Sequence, residues 1–325
     1  MPSSHRAPLY AAVELGSDSF RLHVGRWEEG VLALAATLNE PIRLGAAIGP
    51  DGALDAGTVR RALDCLRQFR LALAMWEVRA VRVVASAALR VACNAPAFLP
   101  AAEAAIGHPV EVLGGEEEGR LVYLGVAAAL GKDAGERRLV LDVGSGSTEI
   151  AVGRGDSVEL VQSYGVGALR QGLAFFRDGI SAAAFEAALA SSRSRFADAG
   201  AFANGMAGAP GWRRAYGASG TVRALFELAG ADAAAGRGAG MAGLLALRHA
   251  LVEEGGFMRI AALSNQPARV AQMAGGLALL LALVEELRIE TLVPVGAGLR
   301  AGVIRELQWR AEGCARETPL FPECA

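Results

Sequence analysis

The chain has 325 residues, of which 53% are apolar and 20% charged, and its formal net charge is −2. That length suits two domains of roughly 150 residues, and the composition excludes a disordered chain. The near-neutral charge balance argues against a diffuse electrostatic attachment to nucleic acid.

The cysteines and histidines exclude several classes of site. The four cysteines show no CxxC spacing or pairing pattern, so we expect a reduced, cytoplasmic protein; they are Cys65, Cys93, Cys314 and Cys324. The four histidines form no cluster, which argues against a histidine zinc site or a Ser-His-Asp triad. The N-terminus lacks the apolar core of a signal peptide. The longest apolar run, residues 273–284, is shorter than the roughly 20 residues of a membrane span, so we expect a buried helix.

The first half of the chain predicts a sheet with helices. Two strands within residues 9–26 flank a tight GSDS turn, and residues 31–38 and 41–45 suggest one or two more. Short apolar stretches at 80–85 and 110–113 predict further strands. Predicted helices cover residues 55–76, 94–106 and 116–130.

From residue 138 the pattern restarts with strand, turn, strand, further strand and helix. A Gly-rich loop is expected at 199–212, and strands at 214–218 and 291–295. Predicted helices cover residues 181–197, 240–254 and 267–287, with another after the GASGT turn and a last one after Gly298. Because strands alternate with helices, we predict an α/β protein. We place one domain at 1–124 and another at 125–300, and expect the last helix, about 300–325, to pack back on the first.

Two segments resemble each other: VELGSDSFRLHVGR at 13–26 and VLDVGSGSTEIAVGR at 140–154. With residues 14–26 placed over 142–154, an offset of 128, six of 13 positions are identical. Each copy begins with a carboxylate at the end of an apolar strand. The repeat indicates a duplication that produces two related domains, and the cleft between them is a natural ligand site.

The repeated turn has the chemistry of a phosphate site. Its small residues expose backbone N–H groups, and its hydroxyls add donors. The leading acids, Glu14 and Asp142, would repel phosphate unless they hold a hydrated Mg²⁺. The predicted phosphate-binding residues are Gly16, Ser17, Asp18, Ser19, Gly144, Ser145, Gly146, Ser147 and Thr148. The alternative is that Gly and Ser only form tight β-turns.

Further motifs each allow two interpretations. The run Glu116, Glu117 and Glu118 opens a helix, where acids offset the helix dipole, or it supplies a general base. Arg90 is either exposed or a cation for a phosphoryl group. The turn containing Gly217, Ser219 and Gly220 is a plain loop or an anion site at a helix N-terminus. Arg300, after another Gly turn, faces a ligand or solvent.

Taken in order, six motifs resemble the exopolyphosphatase and guanosine pentaphosphate phosphohydrolase family over residues 11–307. They are AAVELGSDSF, ASAALRVACNAPAFL, GGEEEGRLVYLGV, LDVGSGSTEI, YGASGT and GAGLRAGVI. The resemblance implies duplicated actin-like (ribonuclease H-like) domains, of the actin, sugar kinase and chaperone ATPase superfamily, with an interdomain cleft. It also implies Glu118 as catalytic base beside Glu117, Arg90 as the motif arginine, and Asp142 and Glu149 in Mg²⁺ binding or catalysis.

The sequence departs from that family pattern at several positions. Glu14 replaces the usual Asp, Asp18 an Asn, Ser145 a Gly, and Ala301 a Glu. If position 145 needs a positive φ, its serine would be strained. The chain also ends soon after the last motif, which suggests a short two-domain form.

We therefore expect an enzyme: an exopolyphosphatase that hydrolyses the terminal phosphoanhydride of inorganic polyphosphate with Mg²⁺ as cofactor. The alternative substrate is guanosine pentaphosphate (pppGpp). Two other classes remain open, a sugar-kinase-like or ATP-binding phosphotransferase and a non-catalytic polyphosphate, alarmone or ATP-binding sensor. The paired glutamates Glu117 and Glu118 favour an enzyme over a sensor. We expect no nucleic-acid or membrane partner, and the apolar C-terminal half allows a homodimer.

Overall fold

The computed structural model describes residues 7–131, 136–204, 214–229, 240–253 and 267–313, together with residues 212 and 238. The expectations for the N-terminal six residues, for Cys314 and Cys324, for residues 205–211 of the 199–212 loop and for the chain end after 313 lie outside the described residues. The described residues form two five-stranded mixed sheets.

The first sheet has the order β3-β2-β1-β4-β5. Its strands are β1 (Leu9–Leu15), β2 (Phe20–Glu28), β3 (Val31–Glu40), β4 (Val78–Ala85) and β5 (Val110–Val112). Strands β1 to β3 pair antiparallel, whereas β4 and β5 continue the sheet in parallel to β1. The accompanying helices are α1 (Ala56–Leu73), α2 (Ala87–Val91), α3 (Ala95–Ile106) and α4 (Gly115–Leu130).

The second sheet has the equivalent order, β8-β7-β6-β9-β10. Its strands are β6 (Arg137–Val143), β7 (Thr148–Arg154), β8 (Ser157–Tyr164), β9 (Arg214–Gly217) and β10 (Leu292–Pro294). The helices are α5 (Ala168–Phe175), α6 (Ala182–Arg195), α7 (Ala199–Asn204), α8 (Gly220–Leu228), α9 (Met241–Glu253), α10 (Pro267–Glu286) and α11 (Leu299–Ala311). Antiparallel and parallel pairings follow the same sequence as in the first sheet. The predicted fold class, a duplicated α/β architecture, is confirmed.

The duplication extends to the register of individual residues. Strands β1 and β6 begin at Leu9 and Arg137, which is the offset that aligns the two sequence segments. A β-bulge follows Val24 in one copy and Val152 in the other. A Cβ on the bulge glycine would lie 2.6 Å from a carbonyl oxygen at Gly25 and 2.3 Å at Gly153. The shared Val-Gly-Arg sequence therefore reflects a bulge that only glycine accommodates, and not ligand binding.

Two segments differ from the predicted elements. Residues 41–45 do not form a strand: a 3₁₀ turn covers Leu44–Ala47, and Arg43 has a left-handed φ of 62°. The N–H groups of Arg43 and Gly45 donate to the carbonyls of Asp18 and Ser17, at 2.7 and 2.8 Å, so they fix the first hairpin instead of a neighbouring strand. The beginning of the expected 199–212 loop is helical, since α7 covers Ala199–Asn204.

Helix α10 contains the longest apolar run of the sequence. Most of its side chains, including Leu277, Leu280 and Leu283, are fully buried in the core beneath the second sheet. The expectation of a buried helix is confirmed. No helix in the described part of the chain combines the length and the apolar character that a membrane crossing needs.

Helices α4 and α11 lie between the two sheets and share one apolar core with both. Helix α4 packs on the second sheet, where Tyr123 donates a hydrogen bond to the carbonyl of Gly155 at 3.3 Å. Helix α11 packs on the first sheet, where Gln308 accepts from the N–H of Trp27 at 2.9 Å and the Trp27 indole donates to the Ala301 carbonyl at 3.0 Å. Each helix thus packs on the sheet of the other half of the chain. The division at residues 124 and 125 remains a prediction.

The two helices cross with their backbones in contact. A Cβ on Gly302 would lie 1.8 Å from the carbonyl oxygen of Leu121, and one on Gly125 would lie 2.4 Å from that of Gly298. Side chains at these positions would push the helices, and with them the two sheets, apart.

We predict that Gly302→Ala lowers the free energy of unfolding by about 1–3 kcal/mol or more, because the added methyl group overlaps backbone that cannot rotate away. The matched control is Gly165→Ala, where a Cβ meets nothing within 4 Å and φ is not positive. Urea unfolding of both variants measures the difference. Equal midpoints for Gly302→Ala and the wild type would contradict the close crossing.

Candidate active site

A cavity of about 570 Å³ opens where the β1–β2 and β6–β7 hairpins end. The following predicted residues line it: Gly16, Ser17, Asp18, Ser19, Gly144, Ser145, Gly146, Ser147, Ser219, Gly220, Glu14, Asp142 and Glu118. The hairpins touch, since a Cβ added to Gly146 would lie 2.9 Å from the Ser17 hydroxyl. The structure therefore brings both repeats to one opening.

The hairpins have matching backbone geometry. The N–H of Gly16 donates to the Ser19 carbonyl at 3.2 Å, and the N–H of Gly144 donates to the Ser147 carbonyl at 2.9 Å. A Cβ on Gly16 would lie 2.7 Å from that carbonyl, so the tight turn requires glycine. Ser145 is not among the residues of the described chain with positive φ, so the conditional expectation of strain at this position does not apply.

The hairpin serines also hold the surrounding elements. The Ser17 hydroxyl accepts from the N–H of Ala88 at 3.1 Å, and the Ser145 hydroxyl accepts from Gln272 at 3.0 Å. Their oxygens therefore anchor α2 and α10, while their protons can still be donated to a ligand. Ser219 accepts from the N–H of Val222 at 3.0 Å and caps α8.

Two predicted phosphate-binding residues, Thr148 and Gly217, do not line the cavity. The Thr148 hydroxyl is buried and donates to the Val166 carbonyl at 2.7 Å. Gly217 lies inside the second sheet, where a Cβ would be 2.5 Å from the Val222 side chain. These contacts show that both residues support the turns, and their role in phosphate binding stays a prediction.

Glu118 and Arg90 form a pair beside the second hairpin. Arg90 donates to the Glu118 carboxylate at 2.7 Å, to the Leu113 carbonyl at 2.8 Å and to the Ser147 hydroxyl at 3.2 Å. Glu118 is 8% exposed and lines the cavity. Burial raises the pKa of Glu118, Arg90 opposes this shift, and Glu14 adds to it. Arg90 thus orients the glutamate, and its guanidinium is already satisfied by three partners.

Glu117 does not line this cavity, so its contacts do not support the catalytic role predicted for it. It contacts Arg120 at 2.6 and 2.7 Å and Arg82 at 3.4 Å. Glu306 of α11 joins both arginines. The position next to Glu118 is therefore used to tie the first turn of α4 to β4 and α11, because adjacent helix residues face about 100° apart.

The three acids predicted to hold a metal are not assembled as a trio. Among the described residues, no group of three His, Cys, Asp or Glu side chains is placed to hold an ion. Glu149 is 2% exposed, accepts from the Ser163 hydroxyl at 2.9 Å and does not line the cavity. Burial raises its pKa well above the usual value, with Glu118 and Asp142 adding to the shift. The assignment of Glu149 as a direct metal ligand stays a prediction.

Asp142 lies on the floor of the cavity. Burial raises its pKa to about 7, and the nearby charges of Glu118 and Glu14 contribute to the increase. The negative charges of Glu118 and Glu14 thus disfavour ionisation of Asp142.

Glu14 accepts a hydrogen bond from Arg300, and the two form an ion pair. Arg300 also donates through Nε to His23 Nε2 at 3.1 Å. Burial, followed by the charges of Arg300 and Arg21, lowers the pKa of His23 to about 3, so its ring is neutral and accepts this bond. The sequence did not indicate a role for His23, because a single histidine within a predicted strand forms no recognisable motif.

We predict that His23 makes stability depend on pH. Its pKa is about 3 in the folded chain and 6.5 in the unfolded one, so folding is favoured fully above pH 6.5 and loses free energy as the pH falls toward 3. The loss at pH 5 is about 2 kcal/mol. The wild type should lose free energy of unfolding between pH 7.5 and pH 5, and His23→Gln should lose less by this amount. Chemical denaturation at both pH values measures the difference. If the free energy of unfolding of His23→Gln falls with pH as steeply as that of the wild type, the neutral, buried state of the His23 ring is contradicted.

Known proteins resemble this chain in sequence and structure. The Ppx/GppA phosphatase family matches residues 24–310. A guanosine-5'-triphosphate,3'-diphosphate pyrophosphatase of Aeromonas hydrophila is 37% identical over 226 residues, which are 69% of this chain and 44% of that protein. The chain therefore spans less than half the length of this curated relative.

Two solved structures share the fold. The Aquifex aeolicus Ppx/GppA enzyme has a TM-score of 0.75 at 24% identity, covering 92% of this chain and 99% of that one. An exopolyphosphatase from Cytophaga hutchinsonii has a TM-score of 0.79 at 20% identity, covering 92% and 97%. With the two matched hairpins and the glutamate between them, these likenesses confirm the resemblance of the six motifs. The chain belongs to the Ppx/GppA phosphatase family.

Proposed function

We propose that this chain hydrolyses the terminal phosphoanhydride of a guanosine pentaphosphate and releases orthophosphate. The observation that carries the proposal is the pair of facing hairpins with Glu118 between them. The name of the similar Aeromonas protein favours pppGpp over inorganic polyphosphate, which was the main expectation from sequence.

The charges around the cavity support a phosphate-rich substrate. Five arginines border it, namely Arg21, Arg43, Arg223, Arg269 and Arg300. Backbone N–H groups of the glycine-containing hairpins can bind the terminal phosphates, as in other phosphate nests. The arginines supply charge-assisted hydrogen bonds to further phosphoryl oxygens. A nucleotide that carries phosphate groups at both its 5' and 3' positions would bind to several of these arginines at once.

Glu118 is the proposed general base. Its carboxylate takes a proton from water, the water oxygen forms a bond to the terminal phosphorus, and the bond to the bridging oxygen breaks in line. Burial brings its pKa closer to neutrality, which makes it a stronger base than an exposed glutamate. Arg90 fixes the direction of the carboxylate, and the hairpin N–H groups stabilise the charge on the equatorial oxygens.

The cavity acids fit a Mg²⁺ ion shared with the substrate. Glu118 and Glu14 raise the pKa of Asp142, and a cation relieves such repulsion. Mg²⁺ usually takes one or two carboxylates and completes its shell with water and phosphate oxygens, so a cage of three protein ligands is not required. Asp142 and Glu14 are the residues that would hold it. When bound, the ion neutralises phosphate charge.

A substrate panel tests the proposal. Orthophosphate release is measured from pppGpp, short and long polyphosphate, GTP and ATP, each with and without Mg²⁺. We expect the highest kcat/KM for pppGpp and loss of turnover without Mg²⁺. A higher kcat/KM for polyphosphate than for pppGpp would instead indicate an exopolyphosphatase, the main expectation from the sequence. ATP turnover that requires a sugar acceptor would indicate a kinase, and binding without release would indicate a sensor.

Glu118→Gln is predicted to lower kcat by about 10²–10⁴-fold, because the amide cannot accept the proton. The matched control is Glu117→Gln, one position earlier, which removes a charge from α4 outside the cavity. We expect that variant to lose thermal stability but to keep kcat within about tenfold of the wild type. Near-wild-type turnover by a folded Glu118→Gln protein would refute the assigned role.

A further inference from the structure

The ion pair between Glu14 and Arg300 closes one corner of the cavity. Both side chains are largely buried, with exposed fractions of 14% and 17%. Glu14 is the next-to-last residue of β1, and Arg300 stands in the first turn of α11, so the pair connects the first hairpin to the helix that packs on its sheet. Both residues line the cavity.

Three of the carboxylates that line the cavity, Glu14, Glu118 and Asp142, differ in their charge compensation. Glu118 is paired with Arg90, and Glu14 is paired with Arg300. Among the described residues, no arginine or lysine forms an ion pair with Asp142. Glu14 is the other carboxylate proposed for the cation, and its Oε2 is already paired with Arg300.

Glu14 is suited to this contact by its length. Its side chain is one methylene longer than the Asp142 that stands at the equivalent position of the second hairpin. Its other oxygen, Oε1, lies beside the first hairpin, 3.1 Å from where a Cβ of Gly16 would be. One carboxylate therefore faces both Arg300 and the proposed phosphate site.

Arg300 has a second anchor that does not depend on Glu14. Its Nε donates to the neutral ring of His23 at 3.1 Å, while a different nitrogen, Nη1, contacts Glu14. If Glu14 moves to a cation, His23 can keep the guanidinium in place with Nη1 directed into the cavity. A phosphate oxygen could then take the position that the carboxylate left.

We propose that Arg300 and the divalent cation compete for Glu14, so that Arg300 sets the metal affinity and passes to the substrate phosphate when the metal binds. This inference rests on the proposed phosphoanhydride chemistry and deepens it. It makes metal and phosphate binding mutually favourable: each ligand takes one partner of the ion pair and frees the other. By linkage, the factor is the same in both directions.

The test measures binding of Mn²⁺ alone, without substrate, from the electron paramagnetic resonance signal of the free ion at pH 7.5. We expect Arg300→Gln to bind Mn²⁺ at least about tenfold more tightly than the wild type, because Glu14 is released. Unchanged affinity in a folded Arg300→Gln protein would overturn the proposal.

A double-mutant cycle separates competition from a general field effect. In the background Glu14→Gln, adding Arg300→Gln should change Mn²⁺ affinity by less than about twofold, because the competed carboxylate is gone. If Arg300→Gln still increases the Mn²⁺ affinity in the Glu14→Gln background, Arg300 acts on Asp142 through its charge. That result would refute the proposal. Arg21→Gln is the matched control: Arg21 lowers the pKa of Asp142 more than Arg300 does and stands opposite Glu14 in the β1–β2 pair, but its guanidinium donates to Asn39 and forms no ion pair with Glu14. We expect it to change the affinity by less than about threefold.

A second variant covers the case in which Arg300→Gln does not fold. Glu14→Asp keeps the carboxylate, withdraws it from Arg300 by one methylene, and should also tighten Mn²⁺ binding. Inorganic phosphate should strengthen Mn²⁺ binding in the wild type and do so less in Glu14→Asp. None of these measurements requires turnover. A protein that shows the predicted metal affinities but does not hydrolyse pppGpp would refute the proposed function and leave the competition standing.

Discussion

The backbone contact between α4 and α11 is the constraint on which the cavity depends. Gly302 against Leu121, and Gly125 against Gly298, bring two helix axes closer than any side chain would permit. Each helix packs on one sheet, so their separation sets the distance between the sheets. The helices also carry the groups that face each other in the cavity, because Glu118 stands in the first turn of α4 and Arg300 in the first turn of α11. Small residues at the crossing of the two helices thus determine how far apart the sheets on either side of the site lie.

Charge compensation gives the site its chemical asymmetry. Glu14 and Glu118 each pair with an arginine, whereas Asp142 has a pKa raised to about 7 by burial and by these two acidic neighbours. Such an arrangement holds a basic glutamate in a defined direction and leaves a position where added positive charge is favourable. Outside the cavity, Glu117, Arg82, Arg120 and Glu306 form a balanced group that holds the first turn of α4. Neighbouring glutamates on one helix therefore perform different tasks.

The repeat shows that residues of one motif can have different structural surroundings. The glycines and serines of both hairpins line the cavity as expected. The identical Val-Gly-Arg segments that strengthened the repeat instead mark two equivalent β-bulges. Thr148 and Glu149 follow the second hairpin directly in sequence, yet both are directed into packed surroundings. A strand alternates its side chains between two faces, and the number of residues in the turn decides which face a given position takes.

The sequence by itself determined most of the order of helices and strands, the duplication and the composition of both hairpins, because periodic apolar patterns and turn residues act over short distances. It also determined that a carboxylate precedes each hairpin and that glutamates open α4. Only the tertiary structure decided that Glu14 pairs with Arg300, that Glu117 turns away from Glu118, and that His23 accepts a bond from an arginine 277 positions later. These outcomes depend on how two sheets pack through a pair of crossing helices, and no local pattern encodes the partners that such packing brings together.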